Sequence, residues 1–121
     1  MKHIILLLVL TILFPACASY GYEYEVIDDG AHYGYNDYIK IGSISYADAM
    51  AKALANNVTP ERNLAGELSF KYQKDGQTRL VWFNDATSMN DKVKLAKTYG
   101  LKGVAIFKLD GHIDPAFWPK I

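Results

Sequence analysis

Lys74-Asp75-Gly76-Gln77 separates two runs, Leu68-Ser69-Phe70-Lys71-Tyr72 and Thr78-Arg79-Leu80-Val81-Trp82-Phe83, whose composition is that of β-strands. Asp-Gly between such runs signals a tight hairpin, because both residues tolerate the positive φ that a two-residue turn demands. The middle of the chain is therefore committed to an antiparallel pair, and the remaining elements must cover one of its faces. A further run, Tyr22-Glu23-Tyr24-Glu25-Val26, alternates at period two, reads as a half-buried strand and ends at Asp28-Asp29-Gly30.

Two helices flank the hairpin in sequence. Ser45 followed by Asp48 is an N-terminal signal, since the hydroxyl accepts from exposed N–H groups and the acid complements the dipole. Tyr46, Ala49, Met50, Ala53 and Leu54 then form one apolar stripe, and Asn56-Asn57 supplies the stop. Val58 to Gly66 is a connector carrying Pro60. Ser88 is expected to cap a second helix, Met89 to Tyr99, with Val93, Ala96 and Tyr99 facing inward and Gly100 ending it. Gly103-Val104-Ala105-Ile106-Phe107 reads as a strand covered on both faces, which would close a β-α-β unit with a right-handed parallel crossover. Residues 31–42 are rich in aromatics and turn formers and read as a structured loop. The expectation is one small α+β domain with a hairpin, two helices and a final β-α-β unit.

The N-terminus has the layout of an export signal. Met1-Lys2-His3 is basic, Ile4 to Phe14 is an apolar run too short to span a bilayer, and Pro15-Ala16-Cys17-Ala18-Ser19 offers small residues after a helix breaker. Residues 1–18 are thus expected to be processing sequence and 19–121 the functional domain, in an extracytoplasmic setting: secreted, periplasmic or cell envelope. Cys17 fits two routes, ordinary cleavage before Ser19 or lipidation as in a bacterial lipoprotein. It is the single cysteine, so neither an internal disulfide nor a thiolate metal cluster is available to the domain. Thirteen basic residues balance 13 acidic ones, which excludes the basic surplus of nucleic-acid and polybasic membrane binders. Membrane contact is expected only through a lipid on Cys17.

The order Val81-Trp82-Phe83-Asn84-Asp85-Ala86, Ser88, Lys92, Tyr99-Gly100-Leu101, Gly103-Val104-Ala105 and Leu109 resembles the C-terminal stretch of glycoside hydrolase family 18, the chitinase and spore-cortex glycosidase family. Gly30-Ala31-His32-Tyr33-Gly34-Tyr35 is similar to a G-x-x-x-YGY segment after that family's seventh barrel strand. Ile44-Ser45-Tyr46 with its alanine-rich helix, and the Phe70-x-Tyr72 hairpin, resemble the insertion subdomain before the last strand. The resemblance covers residues 30–118. It implies a fragment of a TIM barrel with its insertion subdomain, since a whole barrel takes about 250 residues. Family members hydrolyse β-1,4-linked amino sugars with a D-x-x-D-x-D-x-E motif, which is absent here; the glutamates beyond the signal are Glu23, Glu25, Glu61 and Glu67, none in such a ladder. The family's final-strand tryptophan corresponds to Phe107, and the acid of VWFED to Asn84.

The resemblance therefore implies binding rather than cutting. The candidate ligand-binding residues are Tyr33, Tyr35, Trp82, Asp85, Phe107 and Asp110. Aromatic faces pack against the C–H faces of pyranose rings, although Trp82 and Phe107, on strands with apolar neighbours, read more readily as core, while the tyrosine-rich loop suits either role. Asp110, His112 and Asp114 alternate like metal ligands but read as a solvated loop, so no metal or cofactor is expected. The expected partner is a glycan; a homodimer or another protein paired through an exposed strand edge is the alternative, and half of a split glycosidase a third reading.

Overall fold

The computed structural model describes residues 20–27, 37–107 and 112–120. Five strands, β1 (Gly21–Val26), β2 (Tyr38–Ile44), β3 (Glu61–Arg62), β4 (Leu68–Lys74) and β5 (Gln77–Phe83), form one sheet in the order β2-β1-β5-β4-β3. Every pairing in it is antiparallel. Helix α1 (Tyr46–Ala55) follows β2, and α2 (Ala86–Thr98) follows β5, with a 3₁₀ helix at Pro115–Lys120. The small α+β domain expected from the sequence is the one observed. No helix among the described residues is long and apolar enough to cross a membrane.

The β4–β5 hairpin turns where Asp75 (φ 52°) and Gly76 (φ 75°) both occupy the left-handed region, and Lys74 pairs with Gln77 across it. Ser45 caps α1 by accepting from the Asp48 N–H. Asn57 (φ 54°) ends the helix, with its N–H donating to the Leu54 carbonyl and that of Val58 to Ala53. Gly100 (φ 65°) ends α2 in the same way, donating to Lys97 while Leu101 donates to Ala96. These are paired Schellman closures, each built on a residue that accepts positive φ.

Among the described residues two apolar clusters form the core. Under α1, the fully buried Ala49 and Ala53 let the helix approach Phe70, Tyr72, Val81 and Phe83 on the sheet, with Ile44 alongside. Beneath α2, Ala86 and Met89 pack on Ile113 and Phe117, with Val93 and Ile106 at the margin. Leu54 and Tyr99, expected to face inward, are exposed; each sits in the last turn of its helix or just after it, beyond the reach of the sheet.

Three expectations are corrected. Residues 38–42, taken as loop, belong to the edge strand β2, held by β1 through a register broken by a bulge at Glu23/Tyr24. Helix α2 begins at Ala86 rather than Met89: Asp85 is the N-cap and Ser88 the third position of a reciprocal capping box. Among the described residues the final β-α-β unit is not formed. Residues 103–106 carry no strand and Phe107 makes only an isolated bridge. A parallel strand needs a neighbour offering a free row of N–H and C=O groups. In the observed sheet β5 is already paired on both sides, by β1 and β4.

Candidate functional site

Strand β1 inverts the common use of its alternation. Glu23 shares a face with Val81, and that face lies under α1, where Glu23 is only 8% exposed. Lys52 of α1 donates to Glu23 at 2.6 Å and the Tyr72 hydroxyl donates to its other oxygen. Burial alone would raise the Glu23 carboxyl, but the bonds from Lys52 and Tyr72 outweigh it and hold the group below its ordinary value. Glu25 meets Arg79 at 3.4 Å on the same side. With the acids turned toward the helix, Tyr22 and Tyr24 project from the opposite face, where Trp82 is half-exposed while Val26 and Leu80 are buried.

That open face carries a chain of ring contacts. Phe107 meets Tyr20 edge-on at 6.0 Å, Tyr20 meets Tyr22 at 5.4 Å, Tyr22 meets Tyr24 at 6.3 Å, and Tyr24 meets Tyr38 at 6.2 Å. Gly21, between the first two tyrosines, is obligatory: a Cβ there would lie 1.8 Å from the Trp82 carbonyl oxygen and 2.5 Å from the Phe83 Cα. The close backbone approach seats β1 on β5 and points its flanking rings outward.

At the Tyr20 end of this chain lies a cleft of about 600 Å³. Its walls are Tyr20, Tyr22 and Phe107, with Lys40 and Ser43 from β2 and Asp48 from the first turn of α1. His112 and Ile113 close it from the C-terminal segment, which the His112 carbonyl fastens to the Ala47 N–H at 3.3 Å. The Tyr22 and Tyr20 hydroxyls share a hydrogen bond at 3.3 Å; that bond, and the cost of a second phenolate beside the first, raise the Tyr20 phenol above its usual value against the opposing pull of Lys40. Asp48 accepts from the Ser45 hydroxyl at 2.8 Å. The Lys40 ammonium sits 3.8 Å from the centre of the Tyr22 ring. The volume is that of a site for a few sugar units, and its chemistry is aromatic faces beside hydroxyls and one cation.

The expected ligand-binding residues divide three ways. Phe107 lines the cleft and is 65% exposed, so it belongs to a surface rather than a core. Trp82 is 43% exposed on the same open face, where it pairs with Tyr22, but it does not line the cleft. Asp85 is buried elsewhere. Its carboxylate takes Arg62 at 2.6 and 2.9 Å and the Ser88 N–H at 3.0 Å. Burial pushes the Asp85 carboxyl up, but the Arg62 and Ser88 bonds prevail and leave it below its ordinary value. Asn84 joins the same network, accepting from Ser88 at 3.1 Å and from Lys92 at 2.9 Å. Asp114, read as part of a solvated loop, is buried: it accepts from the Ala86 N–H at 2.8 Å and from the Ala116 N–H at 3.0 Å, adding a second carboxylate to the N-terminus of α2. Tyr33, Tyr35, Asp110 and Cys17 lie outside the described residues.

Sequence reasoning passed over Tyr20, Tyr22 and Lys40. The signal was present: Tyr20-Gly21-Tyr22 is a second Tyr-Gly-Tyr in the chain, and period two from Tyr20 through Tyr24 places three rings on one face.

Solved structures carry the same fold. The chain matches the spore cortex-lytic enzyme SleL of Bacillus cereus with a TM-score of 0.68 and 26% identity, covering 85% of this chain and 23% of that one. It matches the SleL of Bacillus megaterium (TM-score 0.64, 27% identity, 84% and 23%) and a chitinase from Chromobacterium violaceum (0.65, 27%, 85% and 29%). The chain is a glycosidase-related module. It spans about a quarter of the length of these enzymes. No protein-family model and no curated protein sequence matches it. The module's sheet and helices thus correspond to one part of much larger glycosidase-type structures.

Proposed function

We propose that this module is an exported, non-catalytic binder of glycans of the chitin or peptidoglycan amino-sugar class, derived from the C-terminal part of glycoside hydrolase family 18. The observation that carries the reading is the cleft walled by Tyr20, Tyr22 and Phe107 on an open, aromatic sheet face. Rings exposed at a cleft cost solvation without adding to a core, and pyranose C–H faces are their natural cover. Likeness to parts of a chitinase and of spore cortex-lytic enzymes supports both the ligand class and an extracytoplasmic location. The export layout of residues 1–18, with Cys17 as an alternative lipid anchor, supports the same location.

Absence of catalysis is supported by how the carboxylates are used. Hydrolysis of amino-sugar glycosides in the resembled family needs a glutamic acid free to protonate the leaving oxygen, even where the substrate's own acetamido group does the attacking. Glu23 is held by Lys52, Glu25 by Arg79 and Glu67 by Lys92, none of them in the cleft. Among the described residues Asp48 is the one carboxylate lining it, and it is tied to Ser45. Co-sedimentation of the purified protein with insoluble chitin and with peptidoglycan tests the binding; retention on neither sinks it. Release of reducing ends from chitin oligomers would overturn the non-catalytic part.

A protein partner is the second reading, and one observation favours it. Strand β2 is an edge strand seven residues long, with Ile39 and Ile41 each 48% exposed. Such an edge pairs readily with a second strand, as in a homodimer. Sedimentation showing a monomer at high concentration would exclude the dimer.

A further inference from the structure

Lys40 stands across the sheet from Tyr24, yet its ammonium lies over the ring of Tyr22, one row further along. The bulge in the β1–β2 ladder, which leaves Ile41 without a partner, separates the two rows and gives the side chain this diagonal reach. The consequence for the cleft is steric and electrostatic together. The ring face of Tyr22 nearest Lys40 is already covered by a cation, so a neutral pyranose cannot stack there without displacing it. A ligand carrying an anionic group meets the same ammonium as a donor. The other charges at the cleft do not cancel this. Asp48 accepts from the Ser45 hydroxyl at the N-terminus of α1, and His112 adds no negative charge. Among the described residues no carboxylate forms an ion pair with Lys40.

We infer that Lys40 makes this cleft selective for acidic glycans, in which carboxylate groups punctuate the amino-sugar chain, over neutral ones of the same backbone. This rests on the glycan-binding reading and adds the substrate charge class. Lys40 acts by offering its ammonium to the ligand carboxylate and by withholding the Tyr22 ring from an uncharged sugar.

Isothermal titration of the full chain with two soluble polymers that share one backbone tests it: glycol chitin, which is neutral, and carboxymethyl chitin, which is anionic. The expected result is binding to carboxymethyl chitin about three- to fivefold tighter at low salt, the range of a solvent-accessible ion pair. The preference shrinks toward unity near 1 M salt, where the screening length falls to about 3 Å. Lys40→Gln removes the preference by bringing the affinity for carboxymethyl chitin down to that for glycol chitin. Lys97→Gln, an exposed lysine on α2, keeps the preference and separates a local effect from net charge. Equal affinity of the unaltered protein for the two polymers, or a preference that survives Lys40→Gln, overturns the inference while glycan binding stands. No binding of either polymer by any of the three proteins overturns the glycan reading itself.

Discussion

The two faces of one sheet are built on opposite terms. The face under α1 is closed: Val81, Phe83 and Ala49 are fully buried, and even its charged members are matched, Glu23 with Lys52 and Tyr72 and Glu25 with Arg79. The opposite face leaves Trp82 and a row of tyrosines partly in water, joined ring to ring from Phe107 to Tyr38. A fold optimised for burial alone would place the tyrosines of β1 under the helix and the glutamates outside. The inversion leaves half-exposed rings on the aromatic face beside the buried Val26 and Leu80, while the most deeply buried side chains of the sheet lie under α1.

That division predicts which substitutions harm folding and which harm binding. Phe83→Ala empties the centre of the closed face and is expected to cost about 3–5 kcal/mol in denaturant unfolding, with no specific effect on polysaccharide binding in whatever fraction stays folded. Gly21→Ala drives a methyl into backbone atoms of β5 and should cost about 3 kcal/mol, the upper end of overpacking. Glu23→Ala strips the carboxylate from Lys52 and Tyr72 and should cost about 1.5–3 kcal/mol, again without touching the cleft. A loss of stability below about 0.5 kcal/mol in that variant would mean the closed face does not depend on its polar pair.

Acid should act on the same face. The Glu23 and Asp85 carboxyls both lie below their ordinary values in the folded protein. Their contribution is complete above the unfolded-state carboxyl range, about pH 4, and is lost as pH falls through the lower folded-state values. Stability measured by urea titration should therefore hold from neutral pH to about pH 5 and decline below about pH 4, and Glu23→Gln should flatten part of that decline.

On the open face the order of effects reverses. Tyr22→Ala and Phe107→Ala should each weaken binding of soluble amino-sugar polymers by about tenfold, equivalent to about 1.4 kcal/mol, while moving unfolding free energy by less than about 1 kcal/mol. Unchanged affinity in both variants would take the cleft out of glycan binding. The smallest effect is expected away from either face: Asn57→Gly relieves a left-handed φ at the end of α1 and should change stability by no more than a few tenths of a kcal/mol in the favourable direction.

Much of the secondary structure was legible because its signals are local. Asp75-Gly76 specifies its turn through positive φ, Ser45 and Asp48 specify the start of α1, and Asn57 and Gly100 specify two helix ends. The start of α2 was misplaced because Asp85 and Ser88 form a reciprocal pair, and either residue alone reads as the cap. Strand β2 was hidden because its bulge breaks the period-two pattern of Ile39, Ile41 and Ile44 that would have announced it. For the site, Trp82 and Phe107 were candidates for stacking but read more readily as core, since apolar neighbours along a strand do not say which face stays open; Asp85 looked like a ligand group and Asp114 like a solvated loop acid until the fold aimed both at helix N–H donors.

The sequence by itself determined the hairpin, the two helices and the alternation of β1, because each depends on the φ preferences and side-chain period of neighbours along the chain. It also determined that three tyrosines of that region share one face. Which face became the inside was decided only in three dimensions. Alternation is symmetric with respect to the two sides of a sheet, and the choice was made by α1, whose Lys52 and small Ala49 and Ala53 complement Glu23 and the rings of β4 and β5 but offer nothing to Tyr22 and Tyr24. The cleft is a tertiary product for the same reason. Its walls come from β1, β2, α1 and the C-terminal part of the chain, and no local pattern relates them.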